Sequence, residues 1–171
     1  MVTEYVQIRP ETAADADAID AVTVAAFLEA PHAAHTEQFI VRALRRAGAL
    51  TVSIVAELDG GVVGHVAASP VAVSNGATGW FGLGPLSVRP DLQRQGLGSR
   101  LMEAVLQRLR ELGAAGCVLV GDPAYYRRFG FRPEPGLVLP EVPAEYFQAL
   151  SLGGPIPEGV VAFHPAFGAT E

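Results

Sequence analysis

Between Trp80 and Gly121 the chain passes through an apolar run, a turn with two glycines, a segment of helical period and a second short apolar run. Few folds accept that order. Trp80–Val88 and residues 116–121 read as strands, each apolar and bounded by turn residues. Between them Leu97, Leu101, Val105, Leu109 and Leu112 fall on one helical face, with Glu103, Gln107 and Arg110 on others and Gly113 as the stop. A strand, a helix and a strand in succession require a crossover that leaves the two strands parallel.

The segment upstream predicts the rest of that sheet. Residues 51–57 and 62–69 are β-rich and meet at Asp59-Gly60-Gly61, a hairpin turn. Ser74-Asn75-Gly76 is a further turn before Trp80, so three consecutive strands form an antiparallel meander. Gly82 and Gly84 inside the third predict a bulge or a close ligand approach. A first strand is expected over residues 4–9, ending at Pro10. A helix then starts at Pro10-Glu11-Thr12, with Ala16, Ile19, Val22, Val24 and Phe27 as its apolar positions. A second helix starts at Thr36-Glu37 and stops at Gly48, and the loop before it carries His32 and His35. After residue 121, Asp122-Pro123 opens a short helix through Phe129, closed at Gly130. The Pro-rich remainder holds a helical candidate over residues 144–150 and a last strand over residues 159–163. The 171 residues show no internal repeat, and one domain spanning residues 1–171 is expected.

Charge narrows the partners. The net charge is -6, with twelve basic residues against eighteen acidic ones, which argues against non-specific nucleic-acid binding. All twelve basic residues are Arg, and seven of them lie between Arg89 and Arg128. That local cluster suggests a small anionic ligand, although arginine in place of lysine also fits a GC-rich coding bias. The apolar stretches are too broken for a membrane span, and the N-terminus lacks a signal-peptide pattern, so a cytoplasmic protein is expected. The single cysteine, Cys117, lies in an apolar run and is read as packing. No metal is expected, because His32 and His35 lack a third ligand at suitable spacing.

The turn from Gln93 to Gly98 carries the functional signal. Helix N-termini leave amide N–H groups unpaired and carry partial positive charge, and glycine lets a ligand approach the backbone closely. Phosphate binding follows. No Lys-Ser/Thr pair comes after the glycines and the third glycine of a dinucleotide fold is missing, so neither of those loops is present.

Gln93-Arg94-Gln95-Gly96-Leu97-Gly98 resembles the Q/R-x-x-G-x-G/A signature of GNAT N-acetyltransferases, and Ala124-Tyr125-Tyr126-Arg127-Arg128-Phe129-Gly130-Phe131 resembles that superfamily's tyrosine helix. Gly121-Asp122-Pro123 and the terminal Val161-Ala162-Phe163-His164-Pro165-Ala166-Phe167 resemble its YhbS-type bacterial branch. The resemblance implies an α/β (α+β) fold: a mixed, mostly antiparallel sheet of six to seven strands, splayed at its centre and flanked by helices. It implies acetyl-CoA as cosubstrate, its pantetheine along Leu86, Ser87 and Val88 and its pyrophosphate on amides of Gln93, Arg94, Gln95, Gly96, Leu97, Gly98 and Ser99. Arg94 and Arg100 would meet the nucleotide phosphates or be solvated, and Phe129 would border the cofactor. The acceptor would be an amine of a small molecule or a protein, and a homodimer is one possible assembly.

In the same resemblance Tyr126 protonates the departing sulfur, a role suited to a phenol of pKa about 10; the alternative is a tyrosine packed on the pantetheine. Tyr125 is assigned to packing. A backbone amide near Leu86 would meet the oxyanion. No Glu lies in Trp80–Val88, where Ser87 is the one polar side chain after Trp80. The amine's proton would then leave through water, with Glu37, Glu29 or Asp122 as outer partners; Asp122 is favoured as a helix cap and Glu37 equally suits the helix dipole. His65 is read as structural, and His164 is left between the acceptor side and no role. The competing function is an acyl-CoA sensor without turnover, and a longer acyl group is a third reading.

Overall fold

The computed structural model describes residues 2–31 and 33–171. Its strands are β1 (Gln7–Pro10), β2 (Val52–Leu58), β3 (Gly61–Pro70), β4 (Ala72–Val73), β5 (Trp80–Val88), β6 (Gly116–Val120), β7 (Leu137–Val138), β8 (Phe147–Ser151) and β9 (Gly159–Ala162). The α-helices are α1 (Ala16–Phe27), α2 (Glu37–Arg46), α3 (Leu97–Glu111) and α4 (Pro123–Tyr126).

Six strands form one sheet in the order β1-β2-β3-β5-β6-β8, antiparallel throughout except for the β5–β6 pair. The β2–β3 turn places Asp59 and Gly60 at φ 51° and 79°, the left-handed pair that a tight hairpin needs. The crossover through α3 makes β6 parallel to β5, as the strand–helix–strand order requires. That pairing covers only Trp80–Gly82 against Gly116–Val118. Beyond it the two strands part. On the other side of β5, Val66 faces Leu86 and Ala68 faces Leu83, so Gly84 and Pro85 together oppose Ala67. This is the bulge expected from the glycines of β5, and it bends the strand where it leaves β6.

The helices cover both faces. Leu97, Leu101, Met102, Val105, Leu106 and Leu109 of α3 are buried against Val52, Ile54, Val66 and Ala68 of the sheet. Each fully buried leucine contributes about 2 kcal/mol. On the opposite face Ile19 of α1 and Val41 of α2 pack on Val55.

Three sequence expectations are corrected. The chain begins with a 3-10 turn over Val2–Tyr5 and the strand starts at Gln7, because the Thr3 and Val6 carbonyls turn toward the Arg100 guanidinium. Val24 is 43% exposed, whereas Thr23 is buried and donates its hydroxyl to the Ile19 carbonyl. The helical candidate over residues 144–150 is instead the edge strand β8. Phe147 and Leu150 have helical spacing, but the open edge of β6 offers a full ladder of backbone partners from Gly116 to Val120. The last strand, β9, joins a separate three-stranded sheet, β4-β9-β7.

One buried polar chain crosses the α1/α2 face. His65 is fully buried, with Nε2 2.8 Å from Ser53 Oγ. Ser53 donates its hydroxyl to the Glu11 carboxylate, which Arg45 holds at 3.0 Å. Because that hydroxyl proton goes to the carboxylate, His65 Nε2 carries the imidazole proton. The structural reading of His65 stands on this bonding. Burial pushes the imidazole pKa down to about 4. The unfolded chain takes up that proton near pH 6.5, so stability is complete above about pH 6.5 and falls as pH drops toward 4, by about 3 kcal/mol in all. Urea midpoints measured across this window should fall in the wild type and stay nearly level in His65→Gln. Equal slopes would remove His65 as the cause. Asp15, held well below the usual carboxylate range by Arg9, titrates lower and leaves this window to His65.

Candidate active site

The turn after β5 is shaped by its own side chains. Gln93 Nε2 donates to the Val88 carbonyl at 2.9 Å, and Gln95 Nε2 donates to the Asp91 carbonyl at 3.3 Å. Arg94 and Gly96 take φ values of 63° and 88°, so the backbone reverses twice before α3. Leu97 then anchors the helix start with a buried side chain. The Arg100 amide bonds the Gly96 carbonyl at 3.1 Å, which leaves the amides of Leu97, Gly98 and Ser99 without an intrahelical acceptor. Gly96, the residue before the helix, has no side chain to cap them.

These amides face a groove of about 400 Å³ lined by Val88, Gln93, Arg94, Gly96, Gly98, Ser99, Tyr125 and Arg128. A Cβ on Gly96 would meet nothing within 4 Å, so it would point into open space, while one on Gly98 would lie 3.1 Å from the Tyr125 hydroxyl. Among the described residues the Arg94 side chain has no ion-pair partner. The groove therefore combines free amides, a helix N-terminus and two guanidiniums, the chemistry of an anion site.

A second cavity, of about 200 Å³, occupies the splay. It is lined by Val66, Leu83–Leu86, Met102, Leu119, Val120, Phe27 and Tyr126. Strand alternation turns the Arg89 amide to the Val63 carbonyl and pairs Ser87 with His65, so the Leu86 and Val88 peptide groups face the splay. Tyr126 packs edge-on to Tyr125 and Phe131, and among the described residues its hydroxyl has no hydrogen-bond partner. Burial, with smaller contributions from Tyr125 and Asp122, pushes its pKa up to about 12. At neutral pH it is a protonated phenol facing the splay.

Adjacent tyrosines thus serve different cavities. Tyr125 bonds Ser99 Oγ at 3.3 Å and lies under the Arg128 guanidinium at 4.4 Å. The sequence reading gave Tyr125 to packing and counted Arg128 in the arginine cluster without giving it a role of its own. The i, i+3 spacing of the two was the available signal. Phe27, Met102, Leu119 and Val120 carried no motif and were also missed.

Other candidates fall elsewhere. Leu86, Val88, Gln93, Arg94, Gly96, Gly98 and Ser99 line one of the two cavities. Leu97 reaches the groove only through its amide, and Gln95 braces the turn. Ser87 does not reach the splay: its side chain is buried on the opposite face, beside His65. Arg100 is also withdrawn from the groove, since its guanidinium donates to Thr3 O at 2.9 Å and Val6 O at 2.8 Å. Phe129 packs between the tyrosines and the main core and lines neither cavity. Asp122 Oδ1 accepts from the Ala124 amide at 2.9 Å, the expected cap. His164 Nδ1 accepts from the Ala166 amide at 3.0 Å and is likewise a cap. Glu29 is exposed beside the turn, Glu37 lines a separate apolar cavity, and His32 lies outside the described residues. Burial pushes the Cys117 thiol up to about 12, consistent with packing. Among the described residues no cluster of three His, Cys, Asp or Glu side chains could hold a metal, and no helix is long and apolar enough to cross a membrane. A cavity of about 570 Å³ at the far end of β2 is lined by Glu11, Arg45, Arg108 and Glu111, whose charges are already paired with one another or their neighbours.

Residues 17–131 match the family described as Acetyltransferase (GNAT) family. The chain belongs to the GNAT acetyltransferase family. A GNAT-family acetyltransferase from Brucella melitensis, solved in complex with acetyl-CoA, is 48% identical and superposes with a TM-score of 0.85, covering 95% of this chain and 97% of that one. YhbS from Escherichia coli, solved in complex with CoA, also gives 0.85 at 36% identity, covering 95% of this chain and 92% of that one. In sequence, YhbS of E. coli K12, described as an uncharacterized N-acetyltransferase, is 42% identical over 125 residues, 72% of each chain. The mixed sheet and its splay are those expected of this family.

Gly121 ties the splay to its tyrosine. A Cβ there would overlap the Tyr126 ring at Cε2 and lie 2.9 Å from Cδ2. Gly121→Ala should therefore rotate Tyr126 out of position and lower turnover at least tenfold with cosubstrate affinity retained. Wild-type turnover in that variant would show that the ring's placement does not matter.

Proposed function

We propose that the protein transfers an acetyl group from acetyl-CoA to a primary amine by direct attack in a ternary complex. The observation that carries this reading is Tyr126, a protonated phenol without a hydrogen-bond partner among the described residues, lining the splay cavity together with Leu86, while Gly98 and Ser99 at the helix start line the groove beside it. The groove suits a diphosphate: Leu97, Gly98 and Ser99 offer N–H donors, and Arg94 and Arg128 offer charge. The Leu86 and Val88 peptide groups suit an extended amide-bearing arm laid along β5. Val88 already accepts one bond from Gln93, so its carbonyl has one lone pair left.

The residues divide the chemistry. The amine nitrogen forms a bond to the thioester carbon, and the carbon–sulfur bond breaks. The Leu86 amide donates to the oxygen as negative charge develops there. The amine loses its proton to water, because β5 brings no carboxylate into the splay. Tyr126 gives its proton to the departing sulfur and regains one from solvent. Phe27, Leu83, Met102 and Leu119 keep the reacting atoms apart from bulk water.

The test is thiol release from acetyl-CoA with and without amines. Amine-dependent release is expected. Tight acetyl-CoA binding with no turnover on any amine would favour a sensor, a reading that draws on the missing β5 carboxylate.

A further inference from the structure

The two ends of the splay have opposite chemistry. The groove at the turn carries Arg94 and Arg128 and, among the described residues, no acid. Past the splay lies another cavity, of about 630 Å³, whose charged lining among the described residues is Glu37 and Glu141. It shares Phe27, Leu83, Gly84, Pro85 and Val120 with the splay cavity that Tyr126 lines, so the two adjoin at that strand end. The rest of its wall is apolar. Phe163 and Phe167 meet edge to face with centroids 5.0 Å apart, and Ile40, Leu139 and Val142 complete the surface.

Glu37 is the buried acid of the pair. It is 9% exposed at the start of α2, and its oxygens accept the His35 amide at 3.3 Å and the Thr36 amide at 2.9 Å. Those bonds aim the carboxylate and leave acceptor capacity on each oxygen. No arginine or lysine among the described residues lines this cavity to compete for it. A carboxylate in an apolar wall attracts one cation strongly. Phenyl walls in turn reject further charges or hydroxyls, which would lose water without gaining partners.

Resting on the transferase reading, we infer that the acceptor is a primary monoamine on an aryl or alkyl body. The apolar body lies among Phe27, Phe163 and Phe167, and Glu37 draws the ammonium toward the splay before it loses a proton and attacks. Glu141, exposed at the mouth, adds attraction on entry. Polyamines, aminosugars and lysine-rich peptides do not suit this wall.

The test compares phenethylamine and hexylamine with spermidine, glucosamine and a lysine peptide, all with acetyl-CoA. The apolar monoamines should have kcat/KM at least tenfold above the polar amines. Glu37→Gln keeps one acceptor oxygen, enough for the shorter bond from the Thr36 amide at the expense of the 3.3 Å bond from His35, and should raise KM for phenethylamine about tenfold, with KM for acetyl-CoA unchanged. Phe167→Ala should raise KM for phenethylamine; because that side chain also packs on Phe163, Glu141→Gln serves as a second variant with a smaller rise at low salt. Calorimetry should show phenethylamine binding to the CoA complex, weakened in Glu37→Gln. Preferential turnover of the polar amines, or an unchanged KM in Glu37→Gln, would overturn the acceptor assignment while the transferase stands. Acetyl-CoA binding with no turnover on any amine would overturn both.

Discussion

Tyr126→Phe should lower kcat by at least about 100-fold while acetyl-CoA binds as in the wild type. The substitution removes one oxygen and little else. The ring keeps its edge contacts with Tyr125 and Phe131, and no hydrogen bond among the described residues is lost with the hydroxyl. A phenol with its pKa pushed up to about 12 stays protonated over the whole working range, so it is present as an acid whenever a thiolate leaves. Thiol release gives kcat, and calorimetry with CoA gives affinity. If turnover persisted in the Phe variant, the sulfur would be taking its proton from elsewhere, and Tyr126 would be wall rather than acid. An amine acceptor with a more acidic ammonium would not rescue the variant, because the missing proton is needed on the opposite side of the reaction.

The second large effect concerns Gly96. Gly96→Val should weaken acetyl-CoA binding at least 100-fold, for two separable reasons. The residue has φ 88°, which a β-branched side chain resists at a cost of about 1–3 kcal/mol. Its Cβ would also project into the open groove where phosphate is proposed to lie. Gly96→Asn distinguishes the two, since asparagine tolerates the left-handed conformation yet still fills the groove. Both variants should lose affinity, and only the valine variant should lose melting temperature as well. Wild-type affinity in the asparagine variant would contradict a phosphate at this position.

The fold was legible where pattern and punctuation agreed. Trp80–Val88 is the strand in both sequence and structure, and the helix beginning at Leu97 follows from its apolar spacing and two glycines. The unpaired amides of the candidate site were legible for the same reason, because a strand followed by glycines and a helix creates free amides without help from distant residues. Side-chain roles were harder. Arg100 has the same local context as Arg94, and only the N-terminal turn, nearly a hundred positions away in sequence, decides that it bonds Thr3 and Val6. Tyr125 and Tyr126 are neighbours in sequence, and their division between two cavities depends on the approach of Gly98 and Gly121. Strand β8 was missed because its pairing edge is supplied by β6, so local periodicity was overridden by a partner. The apolar cavity beyond the splay draws on α1, α2, β5 and the C-terminal segment, which no motif connects.

The grip of Arg100 on the amino-terminal turn also bears on handling of the protein. The same helix that offers its first amides to the groove is latched, one turn further along, to carbonyls at the very start of the chain. Removing those residues would release the Arg100 guanidinium at the start of the helix whose free amides are proposed to hold the diphosphate. Cosubstrate affinity should then shift through an arginine otherwise engaged by Thr3 and Val6, and a bulky group joined just ahead of Thr3 should act on the same latch.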